Sequence, residues 1–198
     1  MKISKRIFVA SVSALLLVVV FASGYMLQNN NKKQVEYLNA SWIYNYRDIE
    51  EISQASDAIA LVKVDGVSDT YTEQNILLSE FAVEVITPVY NTNANETFTI
   101  VMTGGETDEK IVEISDDPLL QAGDEILIFC KKNNDGTYRI LSGPQGRLVY
   151  SNGKLNSLNS KSLDTSRAAK VNTDSNIMVT NADAEEMISQ IKEYVGNQ

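Results

Sequence analysis

The chain has 198 residues and 43% hydrophobic content, which allows one ordinary globular domain with appendages and argues against disorder throughout. It contains no histidine and one cysteine, which excludes Ser-His-Asp and Cys-His catalysis, His-ligated zinc, multi-cysteine metal centres and an internal disulfide. Net charge is −9, and because Lys2, Lys5 and Arg6 are the only charges before residue 27, the remainder sets 14 basic against 26 acidic residues and repels nucleic acid.

Met1 to Leu27 (residues 1–27) reads as an export segment. Lys2, Lys5 and Arg6 precede an apolar run from Ile7 to about Leu27, interrupted only by Ser11, Ser13, Ser23 and Gly24. About 20 apolar residues span a hydrocarbon core, whereas a cleaved signal needs a core of about 7–15. The run suits either fate. Val20-Phe21-Ala22 and Ala22-Ser23-Gly24 end in small residues fit for cleavage, while continuation through Tyr25-Met26-Leu27 is the pattern of an uncleaved signal anchor. No cysteine follows the apolar core, which excludes a lipoprotein anchor. The basic residues on the short side keep the N-terminus cytoplasmic and place the body outside, either on a single-pass transmembrane helix or secreted after cleavage.

Residues 28–40, with Asn29-Asn30-Asn31-Lys32-Lys33, read as a polar linker, and 41–158 as a β domain with a leading short helix. In that helix Ile49, Ile52 and Ala55 share one face. Just before it, Trp42, Tyr44 and Tyr46 are the candidate binding residues: an aromatic platform for a ligand, or a cluster packing the helix start against the core. Strands are expected over Ala58–Val64, Leu77–Tyr90, Thr97–Thr103 and Lys110–Ile114, with a polar loop from Asp69 to Asn75. Phe81, Val83 and Val85 alternate with Glu80, Ala82 and Glu84, the period of a half-buried antiparallel strand. Asp116-Asp117-Pro118 through Gly123 has the Asp cap, early Pro and final Gly of one helical turn.

The stretch from Glu125 to Gly146 organises the domain. Ile126 to Cys130 is wholly apolar, too short to span a membrane, and must be covered on both faces. It meets the turn Asn133-Asn134-Asp135-Gly136 and returns as Thr137 to Leu141, a hairpin signature. Arg147–Tyr150 and Lys154–Leu158 make a second pair about Asn152-Gly153. Residues 159–180 read as a flexible connector. Residues 181–198 carry an amphipathic helix from Ala182 to Val195, with Thr180 and Asp183 as a capping pair and Gly196 as the stop. The fold class expected is mainly β with flanking helices: a small antiparallel Greek-key, OB-like barrel, with a sandwich as the competing arrangement.

Three segments carry a resemblance: Ser56 to Val64, Phe98 to Gly105, and Gly123 to Phe129 with Tyr138 to Gly146 behind it. Together they resemble uncharacterised exported or membrane-anchored proteins of Gram-positive bacteria that carry an OB-like barrel of the netrin and tissue-inhibitor kind. The resemblance spans about Tyr46 to Leu158 and implies a barrel outside the membrane and protein binding. It implies no catalytic residue.

The residues assign no catalytic, cofactor or metal-binding position. Asp116-Asp117, with Asp108 and Glu106, and the Asn133–Gly136 turn have oxygen-rich compositions, but their spacing fits no calcium loop. Gly104-Gly105 and Gly143-Pro144-Gln145-Gly146 lie between strands, where glycine makes tight corners, rather than before the helix a phosphate cradle needs. The function expected is a non-enzymatic extracytoplasmic module, tethered by its N-terminal helix, that binds a protein or cell-wall component and takes no cofactor or nucleic acid. The alternative is a secreted inhibitor or regulator of an extracellular enzyme. Cell fractionation with intact mass is expected to find the full-length chain in the membrane; a mass beginning near Ser23 or Tyr25, recovered from the medium, selects the secreted form.

Overall fold

The computed structural model describes residues 33–158 and 177–196. The anchor expected over 1–27 and most of the 159–180 connector lie outside the described residues, among which no helix is long and apolar enough to cross a membrane.

The architecture is mainly β, with one short helix before the main sheet and one at its end. Its largest unit is a hairpin of β2 (Ala58–Glu73) and β3 (Ile76–Tyr90). The polar loop expected over Asp69–Asn75 is strand instead, except for the two-residue turn Gln74-Asn75, both at positive φ. Register shifts between Val64 and Gly66 and between Val67 and Asp69 mark bulges that let β2 continue past Val64. A further shift between Ile59 and Ala60 places Pro88 beside an irregularity, where its missing N–H is tolerated.

β4 (Thr97–Thr103) extends this hairpin on one side and β7 (Glu125–Lys132) on the other. β7 turns through Asn133–Gly136 into β8 (Tyr138–Ile140), which also touches β4. The pairings thus run β7-β2-β3-β4-β8 and return to β7. The closing contact is a single parallel pair, Ile100 with Tyr138, too short a seam to make the sheet a clear barrel. Beyond β7 the sheet continues through β9 (Arg147–Ser151) and β10 (Lys154–Ser157), joined by a turn at Asn152-Gly153 with both φ positive, to the two-residue β11 (Ala182–Asp183).

β2 over Ala58–Val62 and β7 over Ile126–Cys130 are buried on both faces, and their alternation divides the core in two. Ala58, Ala60, Val62, Ile126, Ile128 and Cys130 face Phe81, Val83, Val85, Ile100 and Met102 inside the curve of the sheet. Ile59, Leu61, Leu127 and Phe129 face the helices α1 (Ile49–Ala55) and α2 (Ala184–Gly196) through Ile52, Ile188, Ile191 and Val195. Each such side chain sealed from water contributes about 1.5–3 kcal/mol, so this double layer dominates stability. Asp48 caps α1 by accepting from the Glu51 N–H at 2.8 Å. Asp183 Oδ1 accepts from the Glu185 and Glu186 N–H groups, so the cap of α2 is Asp183 itself rather than a Thr180–Asp183 pair.

Three further segments depart from expectation. Gln34–Leu38, within the expected linker, is strand β1, paired to β6 (Lys110–Ile114), which in turn pairs β5 (Gly105–Glu106). Ile177 and Val179, at the end of the expected connector, are buried, and the Val179 N–H donates to Ser157 Oγ at 2.9 Å. The helical turn over Asp116–Gly123 is not formed. Asp117 bridges to Ile114, and its carboxylate is taken by a buried arginine rather than by backbone N–H groups.

Gln74→Asn with Asn75→Gly supplies the residues that a two-residue turn with two positive φ angles favours. It is expected to raise stability by about 0.5–1 kcal/mol in urea unfolding; an unchanged or lower midpoint would show that the observed turn is not limiting.

Candidate functional site

Trp42, Tyr44 and Tyr46 lie on an irregular strap, residues 41–46, that crosses the 3-10 turn Gly143–Gly146 between β8 and β9. No strand ladder satisfies the strap's backbone; side chains of the turn do so. The Tyr46 N–H donates to Gln145 Oε1 at 3.0 Å, and Gln145 Nε2 donates to the Tyr46 carbonyl at 3.1 Å and to Asn45 Oδ1 at 2.6 Å. Ser142 Oγ donates to the Tyr44 carbonyl at 2.7 Å. Gln145 is 4% exposed, so losing this clamp leaves buried polar groups unpaired.

The three aromatic residues therefore play different parts. Tyr46 is buried in the helix-facing core; Tyr44 stacks on it at 6.4 Å between ring centroids and is 68% exposed. Trp42 is half-buried: its Nε1–H donates to Asp116 Oδ2 at 3.2 Å, and its indole rests on Gly143. A Cβ at Gly143 would come within 2.2 Å of Trp42 Cζ2, and φ there is +51°. Glycine is required on both counts.

Beneath the strap, Arg147 Nη2 lies 2.6 Å from Asp117 Oδ1 and donates to the Pro118 carbonyl at 2.6 Å. Both side chains are buried, and Arg147 Nε has no hydrogen-bond partner among the described residues. Burial pushes the Asp117 carboxyl above the usual carboxylate range, against the pull of Arg147. A carboxylate so committed is not available to a cation. Asp116 Oδ2 accepts from the Trp42 Nε1–H, and in the Asn133–Gly136 turn Asp135 accepts from the Thr137 N–H and hydroxyl. Among the described residues no group of three or more His, Cys, Asp or Glu side chains is placed to hold a metal.

Strap, β7 and β8 enclose an open groove of about 700 Å³, whose lining includes Trp42, Ile43, Tyr44, Tyr46, Lys131 and Arg139. Ile43 is 91% exposed, between Trp42, whose indole is held by Asp116, and Tyr44, whose carbonyl is held by Ser142. Lys131 and Arg139 stand directly opposite one another in the β7–β8 ladder, an unfavourable like-charge pair. Lys131 is neutralised: its Nζ lies 2.7 Å from Asp57 Oδ1 and donates to the Ala55 carbonyl. Partial burial alone would raise the Asp57 carboxyl, but the bonds from Lys131 and the Lys132 N–H outweigh it and hold the carboxyl below the usual range. Arg139 donates from Nη1 to Asn133 Oδ1 at 2.8 Å and makes no ion pair among the described residues. Burial raises the Tyr46 hydroxyl above its ordinary range, while Lys131 and Arg139 oppose the rise.

Comparison with family models, curated proteins and solved structures finds no match for this chain. The site is therefore read from its geometry. The sequence pointed to the three aromatic residues but not to Gln145, Lys131 or Arg139. Alternation on β8 turns Arg139 away from buried Ile140, a legible signal; that residues 41–46 meet the turn about 100 positions later was not.

Gly143→Ala is expected to displace the Trp42 indole. Emission from the chain's only tryptophan should move to longer wavelength, and stability should fall by about 2 kcal/mol, at least half of it from the positive φ. Unaltered emission would disprove the contact. Asp117→Ala leaves Arg147 buried and unpaired and is expected to lower stability by about 3–5 kcal/mol, whereas Asp117→Leu with Arg147→Met should lose much less, as measured by urea unfolding.

Proposed function

We propose that this protein is a non-enzymatic binding module of the cell envelope, held at the membrane by residues 1–27 with its body outside, and that it presents the Trp42–Arg139 groove to a protein or cell-wall component. The observation that carries this reading is the exposure of Ile43 and Tyr44 on a strap whose backbone is pinned by Ser142 and Gln145. Large apolar side chains shown to solvent on pre-ordered backbone bind without a large ordering cost, a property of recognition surfaces. The basic and apolar order of the first 27 residues supports the location. The absence of histidine from the sequence and the burial of Cys130, whose thiol is pushed well above its ordinary range, support a role without histidine-assisted or cysteine nucleophiles.

We read the β7-β2-β3-β4-β8 ring as a small OB-like barrel with a Greek-key path. The ring of pairings and the shared apolar interior support this, β8 returning to lie parallel to β4 rather than beside its sequence neighbour alone.

Ile43→Cys tests location and binding together, because Cys130 is buried and unreactive. A membrane-impermeant maleimide is expected to label that variant in intact cells, and a benzophenone maleimide to give a discrete envelope adduct on illumination. Labelling only after lysis would place the body on the cytoplasmic side of the membrane, and absence of any adduct would remove the groove as the binding surface.

A further inference from the structure

The groove contains an unsolved electrostatic problem. Lys131 and Arg139 face each other across the β7–β8 ladder, yet one internal carboxylate, Asp57, serves the pair, and it lies on Lys131. Arg47 engages Glu51, the acidic residue in the groove lining, at 3.1 Å. Arg139 is left with an exposed, planar guanidinium that has only an amide oxygen for a partner, in a groove also lined by exposed Ile43 and Tyr44. A fork of N–H donors next to apolar surface matches one carboxylate flanked by an apolar side chain.

We infer that the groove takes an extended polypeptide segment of a partner protein, docking an Asp or Glu carboxylate on Arg139 and the adjoining aliphatic or aromatic side chain against Ile43 and Tyr44. This rests on the reading of the groove as a binding surface and specifies its ligand. An incoming carboxylate supplies the counter-charge that Arg139 lacks, because Asp57 is committed to Lys131. A polyanionic wall polymer fits less well. The body carries 14 basic against 26 acidic residues beyond residue 27 and repels a chain of phosphates, but not a single carboxylate in an apolar segment. Trp42 lines the same groove and is the only tryptophan, so its emission reports occupancy.

The test uses the full chain in detergent micelles and a phage library of random dodecapeptides. Selected peptides are expected to be enriched in Asp or Glu next to an aliphatic or aromatic residue, and a synthetic representative to shift Trp42 emission saturably. Replacing the peptide carboxylate by its amide should weaken binding about tenfold, the scale of a charge-assisted contact. Arg139→Gln should lose the same factor, with unchanged circular dichroism and no further loss toward the amide peptide. Arg139→Lys should recover only part of it, the fork being absent. Acid and amide peptides binding alike, selection without acidic residues, no selection at all, or tighter binding of inorganic polyphosphate than of any peptide would overturn the inference. If the Ile43→Cys variant still cross-links an envelope component in that event, the binding surface stands and only the carboxylate assignment falls. If it does not, both fall.

Discussion

The main sheet and its two helices are arranged around two adjacent strands, β2 and β7, that have no solvent side along Ala58–Val62 and Ile126–Cys130. Because side chains alternate across a sheet, a fully apolar run needs an apolar partner above and below. One set is covered by the curve of the sheet itself, through Phe81, Val83 and Ile100, the other by α1 and α2 through Ile52, Ile188 and Ile191. The C-terminal helix is thus half of the cover that makes the central strands possible, and Ile177 and Val179 complete the same layer.

This two-sided core fixes where the strap must run. Tyr46 is anchored in the helix-facing layer, immediately before α1, so the residues preceding it are drawn across the Gly143–Gly146 turn. The turn in turn stands on Arg147, whose buried pairing with Asp117 ties the first residue of β9 to the segment before Leu119 and Leu120. A buried ion pair adds little net stability, but it is strongly directional: it accepts one arrangement of β9, the 116–118 segment and Gly143. Apolar burial holds the body together, and a few polar clamps determine the surface it presents.

That division bears on function. The groove has a stiff floor, from β7 and β8, and a wall whose backbone is pinned by Gln145 and Ser142 while Ile43 and Tyr44 project outward. Electrostatically it is an exception on an acidic chain, with Arg139 the cation of its lining that has no ion pair among the described residues.

The sequence by itself determined the elements whose information is local. The run Ile126–Cys130, the Asn133–Gly136 turn, the alternation of Phe81, Val83 and Val85, and the spacing of Ile188, Ile191 and Val195 each state a period and a buried face within a dozen residues. Local information also misled. Asp116-Asp117-Pro118 has helix-start chemistry, but a buried guanidinium 30 residues away competes for Asp117 and wins. The polar residues Asp69–Asn75 read as loop because bulges and cross-strand partners, not composition, keep β2 extended to Glu73. The tertiary structure alone decided which cations remain unpaired, which aromatic residue is buried and which exposed, and that Gly143 must lack a side chain so that Trp42 can rest on it. The reason is physical: charge compensation and close packing are properties of neighbours in space, and at this site those neighbours lie about 100 residues apart in the chain.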